Sequence, residues 1–226
     1  MTDGIDTVCF DLDDTLCTYT QPGEVALEAA FERVGVDDPW TIDAYHGQYG
    51  DYLEESADIE DLRRRCFGDL AVATGYDRET GWTVAQEYAT VRDGAGVERL
   101  PGVRRVLESL SGEYRLGLIT NGAPGMQRAK LESTGLAERF ETVVCAGFDT
   151  APKPDPEPFD VALGRLESTP ERAAYVGNSL SSDVAGANAA GLRSIWVPHG
   201  ETVPDRPDPV PDHQLESLAE LPSLSW

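Results

Sequence analysis

Apolar residues recur along this chain in two rhythms. Val8, Cys9 and Phe10 form a short continuous apolar run, the mark of a buried strand. From 19 to 96 the spacing turns helical. Leu27, Phe31 and Val34 fall at helical intervals, with Pro22 placed to start the helix and Gly35 to stop it. Tyr45, Tyr49 and Tyr52 predict a second helix, Ile59, Leu62, Cys66 and Leu70 a third, and Val84, Tyr88 and Val91 a fourth. Four amphipathic helices in succession predict a small bundle. The segment Asp93–Glu98, DGAGVE, breaks the pattern and reads as a hinge.

Beyond Leu100, helices and short apolar strands alternate. Val103, Val106, Leu107 and Leu110 mark a helix opened by Pro101 and Gly102, and Arg115–Thr120 reads as a strand. A helix over Gly125–Ser133, a strand over Thr142–Gly147, a helix over Pro156–Leu166 and a strand over Ala173–Gly177 follow. Ser182–Ala190 predicts a helix and Arg193–Val197 a strand; Pro198–Asp212 is an irregular loop, and HQLESLAEL offers a last short helix. No internal repeat is present. This alternation predicts an α/β fold, a doubly wound Rossmann-like parallel sheet covered by helices on both faces. The core takes residues 1–18 and 97–226, and the helical bundle, residues 19–96, is inserted after the first strand.

Charge changes the picture of the surface. The chain carries 41 acidic against 18 basic residues, a formal net charge of −23, while its 40% apolar content suffices for a globular core. Lys130 and Lys153 are its only lysines; Arg supplies the remaining cations. Such a surplus of carboxylate resembles the proteins of salt-accumulating halophiles, where multimolar salt screens charge to within about 3 Å. The same field repels phosphate backbones, which argues against nucleic acid as a partner. The opening MTDGID lacks the features of a signal peptide, and no apolar run reaches the length of a membrane span. Cys9, Cys17, Cys66 and Cys145 lack metal-ligand spacing and read as reduced, mostly buried thiols. The expected protein is soluble and cytoplasmic, a monomer or homodimer.

The first strand ends in DLDDT. Asp11 and Asp13, two residues apart on an extended segment, share a face, and Thr15 adds a hydroxyl. Like charges that close must be offset by a shared proton or a divalent cation, so the segment reads as a nucleophilic or a metal-binding site. In an open α/β sheet the ligand crevice lies at the carboxyl ends of the strands. Thr120, Asn121 and Gly122 fall at the end of one expected strand, Lys153 in the loop after another, and Gly177, Asn178 and Asp183 after a third. A nucleophilic carboxylate, an acid, a hydroxyl, an ammonium and further oxygen donors suit phosphoryl transfer.

These motifs, in this order, resemble the haloacid dehalogenase superfamily over Ile5–Leu221, specifically its phosphatase branch with a helical cap. DLDDT resembles the first motif, LITNG the second, KPDP the third, and GNSLSSD followed by AGANAAG the fourth. The resemblance implies a hydrolase acting on a small phosphorylated metabolite, with Asp11 as nucleophile and Asp13 as acid and then base. Thr120 and Lys153 join Mg²⁺ in offsetting charge on the phosphoryl oxygens, Thr15 helps hold the loop, and Asn121 and Gly122 approach the phosphate. Asp11, Asp13, Asn178 and Asp183 are the implied Mg²⁺ ligands. Asn178 departs from the pattern, since the family places Asp there, and a weaker Mg²⁺ site is expected, with Asp183 as a compensating ligand. Asp13 sets the chain apart from the dehalogenases, which resemble D-x-Y at this point and need no leaving-group acid. The other readings are a 2-haloacid dehalogenase and a catalytically impaired member that binds a phosphorylated ligand.

Smaller signals belong to the inserted bundle, which in this family closes over the cleft and selects the substrate. The run Arg63, Arg64, Arg65 either reaches a second anionic group or is a solvated face paired with acids; Tyr45, Tyr49 and Tyr52 either stack on a ring or pack the bundle interior. His46, His199 and His213 form no cluster, so neither a zinc site nor a serine–histidine triad is supported. Lys153 is one of two lysines in a chain that otherwise uses Arg, which suggests that its point charge is needed.

Overall fold

The apolar run at the start of the chain becomes β1 (Thr7–Phe10), buried along its whole length. The computed structural model describes residues 4–37, 39–52, 56–94, 96–200 and 203–224. After β1 come β2 (Cys17–Tyr19) and five helices: α1 (Gly23–Val34), α2 (Ile42–Gly47), α3 (Tyr49–Tyr52), α4 (Ile59–Ala73) and α5 (Arg78–Gly94). The chain then continues through β3 (Val97–Arg99), α6 (Val103–Leu110), β4 (Arg115–Asn121), α7 (Pro124–Thr134), β5 (Thr142–Ala146) and α8 (Glu157–Arg165). It ends with β6 (Ala173–Gly177), α9 (Ala185–Ala190), β7 (Arg193–Trp196) and β8 (His213–Gln214).

Six strands form one sheet in the order β5-β4-β1-β6-β7-β8, every pair parallel. From β1 the chain builds outward through β4 and β5 on one side, then crosses back to lay β6, β7 and β8 on the other. The strand order therefore reverses at β1, and the crevice of a doubly wound sheet lies at such a switch point. Register makes the strand ends coincide: Phe10 pairs with Leu118 of β4 and Val176 of β6. One face of the sheet buries Cys9, Ile119, Val144 and Tyr175 against Phe159 and Leu163 of α8.

The chain divides into two compact units, Met1–Thr18 with Glu98–Trp226, and Tyr19–Val97. The two crossings between them, β2 and β3, pair as a two-stranded ribbon. In the helical unit, Phe31, Trp40, Tyr45, Phe67 and Tyr88 form an aromatic cluster with ring centroids 4.6 to 5.8 Å apart. Tyr45 of the tyrosine stripe is thus a packing residue; its hydroxyl donates to that of Tyr49, and the Tyr52 hydroxyl donates to Asp69. The arginine run has three separate fates. Arg63 is buried with its guanidinium over the Tyr88 ring, Arg64 lies over Trp82, and Arg65 pairs with Asp61.

Several boundaries differ from expectation. The second helix is broken at Gln48 into α2 and α3, and the Ser182–Ala190 helix begins earlier, as a π-helical turn over Leu180–Val184. The expected break at Asp93–Glu98 narrows, because α5 runs to Gly94 and β3 starts at Val97; Ala95 lies outside the described residues, as do 201 and 202 in the Pro-rich loop. The final segment is not one helix. His213 and Gln214 extend the sheet beside β7, and Leu218–Ser223 is a 3-10 turn opened by a Ser217–Glu220 capping box. Among the described residues no helix is long and apolar enough to cross a membrane. The four cysteines are buried and unpaired, and burial pushes the thiols of Cys9, Cys17 and Cys66 up to about 12.

Candidate active site

Side chains from the ends of the three central strands meet at the switch point. Asp11 follows β1 directly, and its N–H donates to the Val176 carbonyl of β6. The loop then turns sharply over buried Leu12 and Leu16, with Asp14 in the left-handed region at φ 57° and its carboxylate accepting from Thr18. This turn carries Thr15 back to Asp11. Its hydroxyl lies 3.3 Å from Asp11 Oδ2 and 3.2 Å from Asn178 Oδ1, at the end of β6.

Lys153 is the buried hub. Its Nζ lies 2.8 Å from Asp11 Oδ1, 2.7 Å from Asp183 Oδ1, 2.7 Å from the Tyr175 hydroxyl and 3.0 Å from the Ile119 carbonyl. An ammonium has three protons, so these four partners already saturate it. Burial works against the charge on Lys153, but Asp11 and Asp183 outweigh it and hold the ammonium above its usual range. Tyr175 is held well above its ordinary range by burial and by Asp183, so it stays a donor; its hydroxyl lies 2.8 Å from the Ile119 carbonyl and 3.2 Å from Asp183. Asn121 closes the loop end: its amide donates to the Lys153 carbonyl at 2.9 Å and accepts the Lys153 N–H at 2.8 Å.

The second carboxylate has partners of its own. Lys130 Nζ lies 2.6 and 2.8 Å from the two oxygens of Asp13, and Gln127 Nε2 donates to Asp13 Oδ2 at 2.9 Å. The same Gln127 nitrogen is 2.7 Å from Thr120 Oγ1. Both residues come from α7, whose inward stripe of Gln127, Lys130, Leu131 and Thr134 is mostly polar. Neither was singled out by its sequence position, although the scarcity of lysine that marks Lys153 marks Lys130 equally.

Two glycines make room for this network. A Cβ at Gly122 would lie 2.5 Å from Gln127 Nε2, and one at Gly177 would lie 2.4 Å from the Asp183 carboxylate. Gly122, expected beside the phosphate, thus gives clearance to Gln127. Gly122→Ala is expected to displace that side chain and destabilise the fold by about 1–3 kcal/mol, measured by thermal melting; an unchanged melting curve would contradict the clearance role.

Of the four implied metal ligands, Asp13 and Asp183 carry donors on both oxygens, as Asp11 does from Lys153 and Thr15. Asp183 gives Oδ1 to Lys153 and Oδ2 to the Ser179 N–H at 3.0 Å, and Asp13 is taken by Lys130 and Gln127. Among the described residues no three His, Cys, Asp or Glu side chains are gathered as a metal site. Asp11 and Asn178 fit a hard cation better. Their oxygens face the single hydroxyl of Thr15, whose one proton can satisfy only one of them. Charge agrees, because Asp11 and Asp183 share one ammonium. Burial, partly offset by Lys153 and reinforced by Asp183 and Asp13, pushes the Asp11 carboxyl up from 3.8 to about 7. A site one positive charge short suits a cation.

Comparison with known proteins agrees with this architecture. A glyceraldehyde 3-phosphate phosphatase of Pyrococcus furiosus is 30% identical over 199 residues, 87% of this chain and 82% of that one. A phosphoserine phosphatase of Thermus thermophilus is 42% identical over 106 residues, 47% of this chain, and the match spans only 42% of that relative's length. A solved 2-haloacid dehalogenase from Pseudomonas syringae superposes with a TM-score of 0.68 at 33% identity, covering 97% of each chain. The HAD-hydrolase YfnB of Bacillus subtilis, solved bound to magnesium, gives 0.69 at 26% identity over 96% of this chain and 97% of that one. The sequence profile of the haloacid dehalogenase-like hydrolases matches residues 5–191. That span takes in every residue of the site from Asp11 to Asp183, and the chain belongs to this family of hydrolases.

Proposed function

We propose that this hydrolase is a Mg²⁺-dependent phosphatase that acts on a small phosphorylated metabolite through an aspartyl phosphate at Asp11. The observation that carries this reading is the Asp13 carboxylate, gripped from inside by Lys130 while 37% of its own side chain remains open. An alkoxide leaving group needs a proton, whereas a halide departs as a stable anion. Asp13 therefore favours phosphate ester hydrolysis over carbon–halogen cleavage, and the phosphatase relatives support that choice.

In the first half, an Asp11 carboxylate oxygen bonds to phosphorus, the ester P–O bond breaks, and Asp13 gives its proton to the departing oxygen. In the second, Asp13, now ionised, takes a proton from water as that water attacks phosphorus; phosphate leaves and the Asp11 carboxylate is restored. Gln127 fills the acceptor side of Thr120, which leaves the Thr120 O–H to donate to a phosphoryl oxygen. Lys153, with its protons already committed, fixes the orientation of Asp11 and supports its ionised form. Asp11 and Asn178 would hold Mg²⁺, whose charge would offset that of the phosphoryl oxygens. The acidic surface suits a cytoplasm of concentrated salt.

The test is phosphate release from a panel of phosphorylated metabolites that includes phosphoserine and glyceraldehyde 3-phosphate, in multimolar KCl with and without Mg²⁺. Mg²⁺-dependent release supports the proposal; release unaffected by chelation, or halide release from a 2-haloacid instead, contradicts it.

Stability reports the cation independently of turnover. A folded-state Asp11 near 7 against 3.8 unfolded stabilises the metal-free protein fully below the lower value, and that contribution is lost as pH rises through about 7. Mg²⁺ needs the ionised carboxylate, so its addition is expected to raise Tm more at about pH 8 than at about pH 6, and by a smaller amount without that pH dependence in Asp11→Asn. Asn178→Asp is expected to tighten Mg²⁺ roughly tenfold, read by titrating Tm with the metal; equal affinities would contradict Asn178 as a ligand.

A further inference from the structure

We infer that Lys130 and Gln127 are positioning residues for the acid, without which Asp13 cannot protonate the leaving group; this rests on the phosphatase reading. The two side chains stand three residues apart on one face of α7, and both are buried. Lys130 engages both oxygens of Asp13 at 2.6 and 2.8 Å, and Gln127 adds a third bond at 2.9 Å. A carboxylate gripped at both oxygens has little rotational freedom left. The asymmetry of exposure shows which way it is held: the Lys130 side chain is 7% exposed and that of Asp13 37%. The grip comes from the protein side, and the outer side stays open for a leaving group.

The Gln127 amide ties this acid to Thr120, the hydroxyl that addresses the phosphoryl group, so one side chain sets the spacing between the two. Gln127 is fixed at a cost, because its buried Oε1 finds no partner among the described residues. A polar atom left unpaired beside two well-made bonds points to a side chain placed for its nitrogen. Without Lys130 the Asp13 carboxylate would be held at Oδ2 alone, by Gln127, and could turn about that bond.

A role confined to leaving-group protonation has a signature that general damage lacks. Nitrophenolate leaves without a proton, whereas benzyl alkoxide needs one. We would measure kcat/KM, which reports steps through leaving-group departure, for p-nitrophenyl phosphate and benzyl phosphate. The proteins are wild type, Lys130→Met, Asp13→Asn and the double variant, all with Mg²⁺. Lys130→Met is expected to lower the benzyl phosphate value on the order of 100-fold and the nitrophenyl value by less than about 3-fold. In the Asp13→Asn background it should cost nothing further. Lys130→Gln, which keeps a neutral donor in place of the ammonium, is expected to show the same selectivity at about 10-fold and serves if Lys130→Met fails to fold. Equal losses on both substrates, or a further loss on top of Asp13→Asn, would overturn the inference alone. Wild-type protein inert toward both substrates would overturn the phosphatase reading with it.

Discussion

Asp11→Asn is expected to abolish phosphate release, by roughly 10⁴-fold or more, while leaving the fold intact. The amide is nearly isosteric: its oxygen can keep the contact with Lys153, and its NH2 can donate to the Thr15 hydroxyl, which still donates to Asn178. What it loses is the nucleophile of the proposed reaction. The substitution also removes one of two carboxylates that share a single ammonium, so the buried charge becomes better balanced, with Lys153 and Asp183 left as a pair. Melting temperature in metal-free buffer should therefore hold or rise while activity vanishes. A folded Asp11→Asn protein that keeps more than about a hundredth of wild-type activity would remove Asp11 from the chemistry.

Lys153→Ala should do the reverse and damage the fold first. Lys153, Asp11 and Asp183 are each buried, and the ammonium is the cation within 2.8 Å of both carboxylates. Removing it leaves two carboxylates facing each other in a desolvated site, together with the Ile119 carbonyl and the Tyr175 hydroxyl that it contacted. Loss of one partner from a buried ion pair costs about 3–5 kcal/mol, which for a chain of this size lowers Tm by roughly 6–20 °C. Raising Mg²⁺ should recover part of the loss, since a cation offsets the same carboxylates. A melting temperature unchanged from wild type would show that the network is not structural.

Much of this site was legible because its residues sit where strand ends place them. Asp11, Thr120 and Asn178 each follow an apolar run, and parallel register brings such ends together whatever lies between them. Lys130 and Gln127 were harder to see, because they lie within a helix and their function depends on which way its face turns. The available signal was α7 itself: its inward positions 127, 130 and 134 are polar, and such a stripe has no reason to be buried unless it meets polar partners. The end of the chain was misread for a different reason. His213 and Gln214 become a strand by pairing with β7, a contact that local periodicity does not encode, although the Ser217–Glu220 capping box and Pro222 did mark the short turn that follows. Asp183 was identified as a site residue, but its partners follow only from the burial that brings it to Lys153 and the Ser179 N–H.

The central claim is a covalent phosphoryl group on Asp11. The most direct measurement is acid quenching of the wild-type protein during turnover of its best substrate from the panel, followed by mass spectrometry of the peptide that contains Asp11. One added phosphoryl group on that peptide, absent from Asp11→Asn, is the predicted result. Phosphate release with no adduct, or with the adduct on another residue, would contradict it.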